Sequence, residues 1–133
     1  AERALPGLVV EYIKNAGPLL KAGTAVPMDV VRTSVSILGN IDKESQDNSP
    51  AANLRKSKRL LAKVPTIIGH MQNVIDGRAI VAQDSGGDPT LGHAGNLLFL
   101  MTGERPWPGF EEGVDVWLML YAEHDLNAST FTS

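Results

Sequence analysis

Apolar residues recur along this chain at the three- and four-residue spacing of helices, and strict alternation of apolar and polar residues is nearly absent. A first apolar stripe over residues 8–13 is expected to end at Gly17-Pro18, because glycine followed by proline is a strong stop signal. Residues 18–26 are then predicted to form a loop. The pattern favours an all-α fold of five or six helices with little or no β structure.

The second predicted helix begins at Pro27, which suits a first helical turn, and ends at Gly39, which suits a C-terminal cap. Apart from Asp29 and Arg32 it is apolar nearly all round. One face carries Met28, Val31, Val35 and Leu38, and another carries Val30, Ser34 and Ile37. A helix of this kind is expected to be buried on two sides. In a small chain, that places it at a subunit interface.

The third predicted helix is the longest, starting at Ser49-Pro50 and running to about Asp76. Its predicted apolar stripe consists of Leu54, Leu61, Ile68, Met71 and Ile75. The opposite, basic face is expected to be solvated and consists of Arg55, Lys56, Lys58, Arg59 and Lys63. Pro65 removes one backbone donor and clashes with a carbonyl of the preceding turn, so a kink or a restart is expected there.

The rest of the chain is predicted to contain an irregular loop and two further helices. Residues 77–90 are rich in glycine and are expected to be the loop, with a short extended pair around 79–82 as the alternative. Helices are predicted over 91–101, capped by Gly103, and from about 110 to 123. The whole chain, 1–133, is predicted to be one helical domain.

Composition narrows the class of protein. Hydrophobic residues make up 43% of the 133 residues and charged residues 20%, which is typical of a folded globular protein. A net charge of −3 argues against nucleic acid as the main partner, and the absence of cysteine excludes disulfides and thiolate metal sites. No apolar run approaches the roughly 18 residues that span a bilayer, and no signal peptide is recognisable. A cytoplasmic location is expected, or the mitochondrial matrix if a targeting peptide has been removed.

The candidate with the clearest chemistry is His124, near the end of the last helix. Its imidazole can donate a hydrogen bond and, when protonated, bind an anionic oxygen. The alternative is a C-terminal cap, since a cationic histidine is stabilised by the helix dipole. Asn127 and Ser129 are expected to form a turn and an N-cap, and that helix start could help to orient an anion.

The remaining polar candidates are weaker. Asn96 and His93, three residues apart, share one helical face, and surface polar residues or local caps are the alternative. His70 is expected to be structural or solvent-facing. The three histidines are separated by 23 and 31 residues, which matches no compact metal-ligand spacing, so no metal site is predicted.

Five segments of the sequence carry a family resemblance in a fixed order. The last contains HDLNAST (124–130), a His-x-x-Asn-Ala-Ser-Thr element. The others are PMDVVRTSVSILG (27–39), SPAANLRK (49–56), LLAKVPTI (60–67) and, more weakly, LGHAGN (91–96) with TGERP (102–106). Together they resemble the citrate synthase family, whose members condense acetyl-CoA with oxaloacetate, and the closely related 2-methylcitrate synthases.

The resemblance implies a multi-helical portion of the family's large domain, taken from the middle of a longer protein. It places His124 in contact with oxaloacetate, with Asn127 in the same element and Asn96 near the active-site cleft. The family's second histidine, its CoA loop, its catalytic aspartate and its dicarboxylate-binding arginines have no counterpart among these 133 residues. The helix at 27–39 lies in the family's dimer core.

These features lead to a first functional hypothesis and two rivals. The chain is expected to be a component or fragment of an acyltransferase that condenses acetyl-CoA or propionyl-CoA with oxaloacetate. By itself it is expected to be inactive and to bind no cofactor, with acetyl-CoA as a family substrate and a second copy or a complementing C-terminal half as partner. The rivals are a non-catalytic helical dimerisation protein and a fragment without a role of its own.

Overall fold

A computed structural model describes residues 2–80 and 87–122. Five α-helices lie in these ranges: α1 (Gly7–Lys21), α2 (Pro27–Ile41), α3 (Pro50–Asp76), α4 (His93–Thr102) and α5 (Pro108–Ala122). No strand occurs among the residues so described. The prediction of an all-α, multi-helical fold is confirmed. The helices over 27–39, 50–76, 91–101 and 110–123 are found within a few residues of their expected ends.

The predicted end of α1 at Gly17-Pro18 was wrong, because α1 continues to Lys21. Gly17 is buried against α3, where a Cβ atom would overlap the side chain of Val74. The glycine therefore permits a close approach of two helices instead of ending one. Pro18 costs one backbone hydrogen bond, but the last turn is kept in place by Leu20, which is buried in the core.

α2 continues past Gly39 and ends at Ile41. Gly39 is not in the left-handed conformation, so the predicted C-terminal cap was wrong. Within this chain α2 is covered on one side only. Val30, Ser34 and Leu38 are buried there, whereas Met28 is 69% exposed. The second buried side that the sequence predicted is thus not supplied by the described residues.

α3 begins and ends as predicted. The Ser49 hydroxyl accepts a hydrogen bond from the backbone N–H of Ala52 at 3.3 Å, and Gly77 closes the helix with φ of 73°. The helix is continuous across the buried Pro65, so the alternative of a restart was wrong. The predicted apolar stripe was also wrong in its first half, where Leu54 and Leu61 are largely exposed. In that half of α3, basic residues such as Arg55 and Arg59 face the rest of the chain instead, where they pair with acidic residues.

The apolar core lies between α1, α2 and α3. It consists of Leu5, Val9, Val10, Ile13, Ala16, Leu20, Val30, Leu38, Ile67 and Met71. α4 packs on the second half of α3, where Gly69 leaves room for Leu100 and the Asn73 amide donates to the Leu100 carbonyl at 2.8 Å. α5 packs on α4 and contains no buried residue. The core therefore belongs to the first three helices, and the chain becomes more open towards α5.

Candidate functional site

Of the three residues predicted to bind substrate, one lies in the described part of the chain. His124 and Asn127 fall outside it. Asn96 occupies the first turn of α4 and is only 2% exposed. Its amide packs against Gly87, where a Cβ atom would overlap it. His93 is half-buried at the first position of the same helix. The substrate contacts proposed for these residues stay predictions.

The turn before α4 is held by a guanidinium from the far end of the sequence. Arg3 donates hydrogen bonds to the backbone carbonyls of Leu91 at 3.1 Å, Asp88 at 3.3 Å and Gly92 at 3.4 Å. The carbonyl of Arg3 in turn accepts from the Thr66 hydroxyl at 2.9 Å. The N-terminal segment therefore bridges α3 and the start of α4, which fixes the position of the α4 first turn.

The same turn is stabilised from its other side by Asp88. Its carboxylate accepts from the Thr90 hydroxyl at 2.7 Å, from the Thr90 backbone N–H at 2.8 Å and from Arg105 at 2.8 Å. These hydrogen bonds, led by the one from the Thr90 hydroxyl, lower the pKa of Asp88 to about 2. The carboxylate is therefore ionised at neutral pH and holds the turn in one conformation.

α5 is joined to the same region through Glu111. The Glu111 carboxylate lies against Gly92 and Gly95 at the N-terminus of α4, and a Cβ atom at Gly95 would overlap it. A negative charge is favoured at this end of a helix, because the helix dipole is positive there. Four parts of the chain thus meet at the start of α4: the N-terminal segment with Arg3, the turn at 88–92, Arg105, and α5 with Glu111.

A buried histidine lies in α3, near Lys14 of α1. His70 is fully buried, and neither ring nitrogen has a hydrogen-bond partner among the described residues. Burial, with a smaller contribution from the charge of Lys14, lowers the pKa of His70 to about 4. The imidazole is therefore neutral at pH 7. Of the two alternatives that the sequence left open for His70, the structure supports the structural one.

A cleft of about 640 Å³ lies between the start of α1, the end of α2 and the first half of α3. Its floor is apolar and consists of Pro6, Val35, Leu38, Ile41 and Leu60. Its rim is charged and includes Asp42, Lys43, Glu44, Lys56, Arg59 and Lys63. This cleft was not predicted from the sequence, because the basic residues of α3 were expected to form a solvated face.

The charges on one side of the cleft form an ion-pair network. Arg59 donates to Asp42 at 2.8 Å and to Glu44 at 2.8 Å, and Arg55 also pairs with Glu44. The backbone N–H of Glu44 and, after it, Arg59 lower the pKa of Asp42, whereas Arg55 and then Arg59 lower the pKa of Glu44. The acidic loop between α2 and α3 was the signal in the sequence for this network. A short connection keeps two helices adjacent, so its carboxylates lie close to the basic residues of α3.

Within residues 2–80 and 87–122, no group of three or more histidine, aspartate or glutamate side chains is arranged to hold a metal ion. None of the helices in these two ranges is both long and apolar enough to cross a membrane. Two features of the surface therefore offer chemistry: the fixed first turn of α4, and the amphipathic cleft beside α3.

Comparison with known proteins extends over nearly all of this chain. The family model described as "Citrate synthase, C-terminal domain" matches residues 2–133. A citrate synthase from Deinococcus radiodurans is 38% identical over 133 residues, which are all of this chain and 33% of that protein. A 2-methylcitrate synthase from Mycobacterium tuberculosis is 40% identical over 107 residues, covering 80% of this chain and 26% of that protein. The chain thus spans about a third of the length of these relatives.

A solved structure gives the same result for the fold. The crystal structure of citrate synthase from Pyrobaculum aerophilum superposes with a TM-score of 0.81 at 30% sequence identity. The match covers 98% of this chain and 32% of that one. The helices described above are therefore arranged as in one part of that larger protein.

Proposed function

This chain belongs to the citrate synthase family, and on that premise we propose that it is the helical scaffold portion of a citrate-synthase-type acyltransferase. The reaction is the condensation of acetyl-CoA or propionyl-CoA with oxaloacetate. The observation that carries the proposal is the 38% identity to a citrate synthase along all 133 residues. In such an enzyme an aspartate removes a proton from the acyl methyl or methylene carbon, a histidine stabilises the resulting enol, and the enol attacks the oxaloacetate carbonyl.

The contribution of this chain to that reaction is one substrate-facing edge. His124 donates a hydrogen bond to oxaloacetate, and Asn127 extends the polar edge beside it, whereas Asn96 is buried in the first turn of α4 and takes part by holding that turn. Binding of a small dicarboxylate requires a fixed geometry. The contacts of Arg3 and Asp88 support this, because they fix the turn that leads into α4, and the Gly92 carbonyl in that turn accepts from the Asn96 backbone N–H at 3.1 Å. The aspartate and the second histidine come from outside the 133 residues, so this chain alone is inactive.

The exposed apolar surface supports a larger assembly. The second half of α5 is apolar without interruption over residues 116–121, a pattern typical of a buried helix, yet α5 has no buried residue among those described. Its large exposed side chains are Phe110, Val116, Trp117, Met119, Leu120 and Tyr121. We propose that the rest of the longer protein covers α5, and that a second copy covers the open side of α2.

The test starts from the protein recovered gently from its native lysate, with its partners identified by mass spectrometry. The recovered assembly is then assayed for condensation through release of the CoA thiol. Because this chain has no cysteine, it contributes no thiol background. Replacing His124 by alanine should lower the rate on the order of a hundredfold or more, as loss of one preorganised electrostatic group does. The exposed Lys58→Ala is the matched control and should leave the rate unchanged.

A second candidate function is a non-catalytic helical dimerisation protein. The exposed side of α2, including Met28, favours it, because such a surface suits a helix–helix interface. A defined homodimer in light scattering, with no condensation and no binding of oxaloacetate or CoA by calorimetry, would replace the first proposal with this one.

A further inference from the structure

The cleft beside α3 has no part in the proposed condensation. We propose that it binds an amphipathic carboxylate, namely a fatty acid of medium chain length. The aliphatic tail lies on the apolar floor of the cleft, and the carboxylate lies at the rim, where Lys56 and Lys63 supply positive charge. This inference is independent of the catalytic proposal, because it uses neither His124 nor the turn before α4.

The floor of the cleft matches an aliphatic chain. Five apolar side chains line it and come from three elements: Pro6 before α1; Val35, Leu38 and Ile41 of α2; and Leu60 of α3. A volume of about 640 Å³ lies within the range of small-molecule sites in proteins. Each methylene group moved from water onto such a floor strengthens binding by roughly fourfold. Tail length is therefore the property to which this site should respond most.

Two lysines on the rim have capacity for an anion. Lys56 and Lys63 are two helical turns apart on the same face of α3. Lys56 donates to the Asp47 carbonyl at 2.6 Å, and Lys63 donates to the Glu2 carbonyl at 2.7 Å. The exposed Glu2 carboxylate is 3.7 Å from Lys63. An ammonium has three donors, so both lysines keep donors for a ligand.

Arg59, the arginine of the rim, differs from the lysines because it is already paired with carboxylates of the protein. Both carboxylates of the rim, Asp42 and Glu44, are bound by Arg59 and are turned towards it. Arg59 is therefore satisfied by the protein, and the remaining cations of the lining are all lysines. The lining residues carry four positive and two negative charges, and with the Glu2 carboxylate beside Lys63 one positive charge remains in excess. This surplus favours an anion, and the apolar floor favours one with a hydrocarbon tail.

The test is a titration of the ¹⁵N-labelled protein with hexanoate, octanoate and decanoate, each kept below its micelle concentration. The backbone amide signals of residues 38–45 and 56–63 should shift, with affinity rising roughly fourfold for each added methylene. The double variant Lys56→Gln/Lys63→Gln should weaken decanoate binding by about tenfold or more, because charge-assisted hydrogen bonds are lost. Lys58→Gln, on the same helix but outside the cleft, is the matched control.

Three results would overturn the inference. Equal binding of decanamide and decanoate would show that the lysines do not recognise the carboxylate. Equal shifts with inorganic phosphate would show a simple anion site that ignores the floor. A change in the fluorescence of Trp107 and Trp117 without shifts at the cleft would place the fatty acid on α5. Far-UV circular dichroism verifies that each variant is folded, and none of these results bears on condensation.

Discussion

The α1–α3 region and the α4–α5 region of this chain use their apolar residues in different ways. In the first, ten buried apolar residues form one cluster, and they include side chains from all three helices. In the second, α4 is anchored to α3 through Gly69 and Asn73, while α5 touches α4 and buries nothing completely. Both regions are rich in apolar residues, but the first has a shared core within the described chain, whereas α5 leaves most of its apolar side chains exposed.

The difference indicates that the α1–α3 region is stabilised by its own contacts, whereas stabilisation of α5 depends on further protein. Free energy of folding comes from apolar surface that is removed from water. The α1–α3 region gains it from its own contacts, whereas α5 can gain it only when further protein covers Trp117, Leu120 and their neighbours. The same kind of substitution should therefore lower stability much more in the α1–α3 region than in α5.

The largest expected effect comes from truncating one core residue and one α5 residue to alanine. Ile13 is fully buried, so Ile13→Ala should lower the free energy of unfolding by about 2–5 kcal/mol. Leu120 is 72% exposed, so Leu120→Ala should change it by less than about 0.5 kcal/mol. Urea denaturation of the chain, followed by circular dichroism, measures both values.

An equal loss for the two variants would contradict this comparison, since it would mean that α5 is covered in solution. In the complete assembly, by contrast, Leu120→Ala should become costly. Repeating the pair of measurements there tests whether the rest of the protein covers α5.

The second expected effect depends on pH and on His70. Its pKa is lowered from 6.5 to about 4 on folding, so between these values the unfolded chain binds more protons than the folded one. Stability should therefore fall as the pH is lowered from about 6.5 towards 4, by at most about 3 kcal/mol. Urea midpoints between pH 4.5 and 7.5 measure the slope.

The variant His70→Gln removes the titrating group and should flatten that slope, even if it lowers stability at every pH. His93→Gln, a change at a half-buried histidine in α4, is the control and should leave the slope in place. A slope that persists in His70→Gln would assign the pH dependence to another group.

The helices were predictable because their ends carry local signals. Ser49-Pro50 starts α3, and Gly77 and Gly103 end α3 and α4 with positive φ of 73° and 80°. Such signals act within a few residues, so a sequence displays them directly. The motifs of the citrate synthase family were recognisable for the same reason, since each is contiguous.

The errors arose where distant contacts override local preference. Pro18 normally ends a helix, but burial of Leu20 keeps α1 going. Leu54 and Leu61 follow the helical period, but no described segment covers them. Whether Leu20, Leu54 or Leu61 is covered depends on segments distant in the sequence, so neither outcome could be read from local pattern.

The candidate site was the least predictable part for a related reason. Arg3 binds the carbonyl of Asp88, 85 residues away, and nothing near Arg3 in the sequence indicates that partner. The cleft is likewise assembled from three elements around an ion-pair network. The sequence predicted Asn96 as a polar candidate, but the contacts that bury it become visible only in the fold.

The smallest expected effect concerns the ion-pair network of Arg55 and Arg59. It also separates the pH dependence of stability into an acid range, due to the carboxylates, and a higher range, due to His70. Arg59 is half-buried and pairs with two carboxylates, whereas Arg55 is more exposed and pairs with one. Arg59→Gln should therefore lower the urea midpoint more than Arg55→Gln, and added salt should reduce the difference by screening both pairs.

The pKa values of Asp42 and Glu44 are lowered from 3.8 and 4.5, so their stabilisation is present above those values and is lost as the pH falls below them. Because His70 acts between about 4 and 6.5, Arg59→Gln should weaken the dependence only at the acid end, and a change near pH 6 would refute this assignment.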